Sequence, residues 1–183
     1  MLHELAPTAD RRRQEVCQHM SLPTNRPGGY VLHPDDGEAH DFVRGGNLII
    51  KATADQTEGK FAAVEFWGPR GFGSPIHVHS DDDEFFVVLE GEVRFRLGDE
   101  ESIVGPRSVV YGPRGVAHGF TMNSDSARVL LFFGPAGVEE FFREAAAYIA
   151  TVPPGEPPDP KIMGEIGARH GQQNVGPPMP PKD

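Results

Sequence analysis

His77 and His79 stand two residues apart in the stretch from Gly71 to Gly91. A strand turns alternate side chains to one face, so these two imidazoles can reach the same ion. Glu84 lies five residues past His79, an odd number, and in an unbroken strand it would face the other way. The polar turn Ser80-Asp81-Asp82-Asp83 breaks that parity and lets a new strand begin with Glu84 pointing inward. A second stretch, Gly105 to Met122, carries a turn at Pro113 and Gly115, after which His118 opens another strand and can supply a third imidazole. Imidazoles with one carboxylate suit Ni, Fe, Mn, Co, Cu or Zn. They disfavour Mg and Ca, which take all-oxygen shells. Asp81, Asp82 and Asp83 compete as carboxylates, but an acidic run in a turn reads as solvated. His3, His19, His33, His40 and His170 read as ordinary surface or core residues.

The elements that must hold these groups are mostly short strands. Candidates are Asn47–Ala52, Lys60–Phe66, Ile76–Val78, Glu84–Glu90, Glu92–Leu97, Glu101–Val104, Ser108–Tyr111, Gly119–Met122 and Arg128–Phe133. Gly and Pro turns at close spacing separate them, which marks an all-β sandwich or barrel. Glu90-Gly91 reads as a tight hairpin, with Gly91 supplying a positive φ. Val138, Phe141, Phe142, Ala145, Tyr148 and Ile149 follow helical spacing and predict a helix over 138–150, its aromatics serving as core. From 151 on the chain is Pro-rich and is expected to be extended over the body, unable to pack as a helix or a central strand. The domain plan is an N-terminal arm over 1–38, a barrel over 39–135, a helix over 136–150 and a Pro-rich tail over 151–183. No internal repeat is present, so one barrel is expected rather than two.

Bulk properties narrow the function. A chain of 183 residues fits one domain, and such a domain buries roughly two-thirds of its unfolded surface. The net charge of −10 argues against nucleic acid and anionic membranes as partners. The one basic cluster, Arg11-Arg12-Arg13, reads as a solvated arm. A single cysteine, Cys17, allows no intrachain disulfide and fits a reducing compartment. No signal peptide or membrane span is evident, so a cytoplasmic location is expected.

The stretch with Gly71, His77, His79, Glu84 and Gly91 resembles the first cupin motif, and Pro113, Gly115 and His118 resemble the second. The sequence departs from the family where Arg107 replaces a frequent Gly and where Met122 replaces a frequent Asn. The likeness extends to Gly45-Gly46, Ile49 to Thr53, Arg114, Phe141 to Glu144, Arg169 to Gly171 and Gly176 to Pro178. In these it is similar to small single-cupin proteins often called quercetin-dioxygenase-like, over roughly residues 40–181. The resemblance implies a jelly-roll, or double-stranded β-helix, barrel. One divalent transition metal would sit inside one end on His77, His79, Glu84 and His118, with one or two positions open. It also implies a homodimer.

Parity suggests the wall of such a site. If Glu84 points inward, Phe86 and Val88 share its face; if His118 does, Phe120 and Met122 follow; Phe66 and Phe72 lie near the mouth. This pocket suits an aromatic or polyketide-like organic substrate. The family likeness implies a dioxygenase in which the metal engages an enol-type oxygen of a flavonol-like substrate. Glu84, raised in pKa by desolvation, would accept the hydroxyl proton before O2 attacks the activated ring. The same ligands would serve an O2-independent isomerase, cyclase or decarboxylase. A non-catalytic small-molecule-binding protein is the third reading.

Overall fold

The computed structural model describes residues 29–183. Most of the expected N-terminal arm, with Cys17, His3, His19 and Arg11–Arg13, lies outside the described residues. The elements follow in the order β1 (Glu38–Asp41), a 3-10 turn (Val43–Gly45), β2 (Asn47–Ala52), α1 (Ala54–Thr57), β3 (Ala62–Pro69), β4 (Pro75–His79), β5 (Asp83–Glu90), β6 (Val93–Leu97), β7 (Glu100–Val104), β8 (Val109–Gly112), β9 (His118–Met122), β10 (Ser126–Gly134), α2 (Glu139–Ile149), α3 (Pro160–Arg169) and β11 (Gln172–Pro178).

Two antiparallel sheets face each other. One runs β1-β2-β3-β10-β5-β8 and the other β11-β4-β9-β6-β7. The all-β, jelly-roll reading holds, with one correction: the sheets are not closed into a barrel. Their edges at β1, β8, β11 and β7 end without a shared ladder, and Pro177 and Pro178 in β11 have no N–H to extend one. The chain repeatedly steps from one sheet to the other, as at β5 to β6. That step corrects the expected hairpin at Glu90-Gly91, because the two strands belong to different sheets. Gly91 does take φ +70°, and an added Cβ there would meet the carbonyl oxygen of Ser126 at 2.3 Å.

Period-two patterning builds the core. In β10 every second residue, Ala127, Val129, Leu131 and Phe133, is buried. These pack with Leu48, Ile50, Val64, Phe66, Phe86 and Phe120 from the facing strands. Each of these side chains larger than alanine contributes roughly 1.5–3 kcal/mol on burial. Helix α2 lays Phe141, Phe142 and Ala145 on the same core, with the Phe142 ring 5.3 Å from Phe66 and 5.9 Å from Phe133. Among the described residues no helix is long and apolar enough to cross a membrane.

The expectation for the Pro-rich tail needs correcting. Residues Pro160–Arg169 form a helix, because Pro160 sits at its first turn, where a missing N–H costs nothing. Asp159 caps it, accepting from the Lys161 amide at 2.8 Å. The following β11 is an edge strand on β4. Glu144 of α2 ties the two helices together by accepting from Arg169 and from His170 Nε2, the latter at 2.8 Å.

Candidate metal centre

His77 and His79 leave β4 on one face, and His118 opens β9 directly opposite His77 in the ladder. Glu84 comes from β5 of the other sheet, where it pairs with Gly112. The centre therefore bridges the two sheets, three imidazoles from one and a carboxylate from the other. Bends at Ser80 and Asp81 reset the direction of the chain before Glu84. Asp83 then pins the start of β5 by accepting from the amide and Nε of Arg114, both at 3.0 Å.

All four side chains are buried, and their donor atoms lie within 4.8 Å of one another. His77 Nε2 is 3.1 Å from His79 Nε2, and Glu84 Oε2 is 2.7 Å from His118 Nε2 and 3.3 Å from His79 Nε2. Ligand atoms at about 2.1 Å from a shared ion would stand roughly 3.0–3.4 Å apart. Two of the rings are set by main-chain carbonyls: His77 Nδ1 donates to Pro75 O at 2.9 Å and His118 Nδ1 to Val116 O at 2.8 Å. That turns their Nε2 atoms inward, where loss of the Nε2 proton on binding an ion would free the lone pair a metal requires. His79 Nδ1 is buried without a hydrogen bond, with Asp82 Oδ2 3.8 Å away. The residues fit a divalent transition metal, which would take three imidazoles and one carboxylate.

Burial pushes the Glu84 carboxyl up, but hydrogen bonds from His118, His77 and His79 outweigh it and hold the group well below its ordinary value. This corrects the expectation that desolvation raises it: the neighbouring imidazoles stabilise the anion more than burial penalises it. Burial lowers His77. His118 is raised, because its hydrogen bond to Glu84 overrides the cost of burial. Glu84 is thus anionic, in the state that accepts a proton.

None of the other described histidines or aspartates joins the centre. His40 pairs with Glu38 at 2.9 Å and His170 with Glu144 at 2.8 Å, and His33 sits in an exposed turn. Asp83 is engaged by Arg114, and Asp81 accepts from Ser80 Oγ at 2.6 Å.

His77, His79 and Glu84 open onto a cavity of about 950 Å3, while His118 does not line it. Phe66, Phe72 and Phe120 line this cavity. Phe86, Val88 and Met122 do not; they are fully buried in the core. Phe86 packs instead on Phe95 and Phe120, at 5.0 and 5.9 Å. Sequence reasoning missed Phe133, Phe141 and Phe142 as wall residues, and with them Arg44 and the prolines of the 153–158 strap. The helical spacing of Phe141 and Phe142 marks them as buried without telling core from cavity.

Comparison with known proteins agrees with this architecture. Residues 64–134 match the cupin domain family. With its two facing antiparallel sheets and its buried His/Glu set, the chain belongs to the cupin superfamily. It is similar to a quercetin 2,3-dioxygenase of Bacillus subtilis (strain 168), 29% identical over 117 residues, or 64% of this chain and 34% of that protein. The chain thus spans about a third of the length of that relative. Among solved structures it resembles KdgF from Halomonas sp., with a TM-score of 0.55, 20% identity, and coverage of 61% of this chain and 98% of that one. It also resembles the polyketide cyclase RemF from Streptomyces resistomycificus, with a TM-score of 0.51, 23% identity, and coverage of 58% of this chain and 79% of that one.

Proposed function

We propose that the protein is a metal-dependent dioxygenase that cleaves a flavonol-like, or otherwise aromatic or polyketide-like, enol substrate with O2. The observation that carries this reading is the placement of three of the four donors, His77, His79 and Glu84, on the wall of an aromatic-lined cavity. A purely structural metal is closed off by its ligands, whereas a catalytic one keeps an open face. The likeness to a quercetin 2,3-dioxygenase supports the choice of reaction.

A divalent ion at this centre supplies Lewis acidity toward an enolic oxygen. The chain's own residues do the rest. Phe66, Phe72 and Phe120 give an apolar, ring-lined surface against which an aromatic body packs and from which water is excluded. Anionic Glu84 accepts the hydroxyl proton of the substrate at a carboxylate oxygen, with His118 Nε2 2.7 Å away to steady the group. The strap around Pro153-Pro154 and Pro157-Pro158 also lines the cavity.

The test is elemental analysis of protein purified without chelator, together with O2 uptake on a panel of flavonols. One equivalent of metal with flavonol-dependent O2 uptake supports the proposal. Turnover of the same substrate under strict anaerobiosis would exclude it and favour an O2-independent isomerase, cyclase or decarboxylase on the same ligands.

A further inference from the structure

Arg44 occupies an unusual place. It lies in the wall of the cavity, and its side chain is exposed. Its backbone stands at φ 55°, ψ 30° inside the 3-10 turn. This left-handed conformation costs a residue with a side chain on the order of 1–2 kcal/mol. The turn is closed by two backbone hydrogen bonds, Phe42 N–H to Gly46 O at 2.8 Å and Gly46 N–H to Val43 O at 3.0 Å. It is pressed against the cavity wall: a Cβ on Gly46 would sit 2.3 Å from the Phe72 ring. The turn is thus built to hold Arg44 at the cavity.

The guanidinium has little else to do. Its one hydrogen bond among the described residues is a 3.5 Å contact from Nη1 to the Gly71 carbonyl, at the limit for such a bond. Seven other described arginines, by contrast, have a carboxylate oxygen within 3.9 Å. Arg107, the remaining unpaired one, is on an outer turn away from the cavity. Glu156 of the strap also lines the cavity but forms no ion pair with Arg44. Apart from the imidazoles, Arg44 is the one cationic side chain among the described cavity residues.

We propose that Arg44 is the anion-recognition residue of this cavity and that the substrate is an aromatic carboxylate. Its rings lie against Phe66 and Phe72, its acid meets the guanidinium, and a phenolic or enolic oxygen at its other end points to the His/Glu donors. A planar guanidinium matches a carboxylate with two parallel N–H bonds, which an ammonium cannot do. This assignment rests on reading the cavity as the substrate chamber, and it gives that reading a substrate class.

The test uses the full chain and two matched probes, 6-hydroxy-2-naphthoate and the neutral 2-naphthol, in isothermal titration calorimetry. Titrations are run on the chelator-treated protein and on the Zn-loaded protein, under nitrogen. Wild type is expected to bind the acid roughly tenfold or more tighter than the naphthol, as a charge-assisted pair would give. Arg44→Gln should erase that preference and leave naphthol affinity unchanged, which also shows that the cavity is intact. Arg44→Lys should keep only part of the preference. Equal affinity of wild type and Arg44→Gln for the acid overturns the proposal, as does failure of wild type to bind either probe below about 1 mM. Because no O2 is present, failure of the dioxygenase reading would show in O2 uptake and leave this result standing.

Discussion

Glu84 Oε2 and His118 Nε2 lie 2.7 Å apart although the two residues belong to different sheets. His118 Nδ1 is committed to the Val116 carbonyl, so Nε2 is the ring's inward atom. The centre therefore depends on the packing of one sheet on the other. Wild type should carry about one equivalent of Ni, Fe, Mn, Co, Cu or Zn by elemental analysis. Glu84→Gln keeps the volume but removes the anionic ligand, and should cut metal affinity by at least about tenfold, the lower bound for loss of a mere supporting partner. Chelation should lower the melting temperature of wild type, since an ion bound only by the folded chain contributes about 4 kcal/mol at a thousandfold excess over Kd. Full metal retention by Glu84→Gln would show that the carboxylate is not a ligand.

Arg107 stands where the cupin motif often has Gly, and the structure shows the consequence: it adopts φ +71°. The turn before β8 is kept, with Arg107 N–H bonding Val88 O at 2.8 Å, at the expense of a strained backbone. Its side chain is exposed and forms no ion pair among the described residues. Arg107→Gly should relieve the strain while adding some unfolded-state entropy, for a net gain of roughly 0.5–1 kcal/mol. That corresponds to a rise of about 1–4 °C in melting temperature, with metal content unchanged. A lower melting temperature would mean that the Arg107 side chain makes a stabilising contact.

How far the sequence could be read depends on what each pattern encodes. The i, i+2 histidines and the broken parity before Glu84 encode direction, and the structure brings all four donors together. Parity says nothing of depth, however. Phe86 and Val88 share the inward face of Glu84 but lie about 7 and 13 Å farther along the strand, beyond the cavity floor. Phe120 stands at the same two-residue offset from His118 as Phe86 does from Glu84, yet it lines the cavity while Met122 does not, so the offset along a strand does not by itself decide which residues reach it. Composition misled in the tail: a Pro-rich segment reads as extended, yet Pro160 begins a helix because it falls at the first turn behind the Asp159 cap. Gly91 announced a positive φ but not that the next strand would join the other sheet, since sheet membership is a long-range property.

The join between β1 and α2 gives a pH dependence. Glu38 accepts from Arg143 Nη2 at 2.6 Å and from His40 Nε2 at 2.9 Å. The bond from Arg143 outweighs partial burial and holds the Glu38 carboxyl below its ordinary 4.5. Because the folded-state value lies below the unfolded one, the stabilisation is present above about pH 4.5 and is lost as pH falls through the depressed value. Glu38→Gln should lower stability by about 0.5–1 kcal/mol at pH 7, the pair being partly exposed. The gap between variant and wild type in urea midpoints should shrink toward zero as pH falls through the depressed value of Glu38. A gap independent of pH would assign the loss to packing.

The C-terminal residues act as a clasp on the strands that hold the metal ligands. Thr121 Oγ1 donates to Met179 O at 2.8 Å, Arg94 Nη1 to Pro180 O at 2.5 Å, and the Lys182 amide to Asn123 Oδ1 at 2.8 Å. These bonds anchor the chain just after β11, which pairs with β4 in the register Asn174–His77 and Gln172–His79. Loosening the clasp should therefore be felt at the two imidazoles. Removing residues 179–183 takes away these bonds and leaves Arg94 buried without its carbonyl acceptor. The loss should be about 2–4 kcal/mol, measured as a lower urea midpoint. Metal should also leave the truncated protein faster in a competition with chelator, because β11 no longer braces β4. An unchanged dissociation rate beside a lowered midpoint would confine the clasp to global stability and show that β4 is rigid without it.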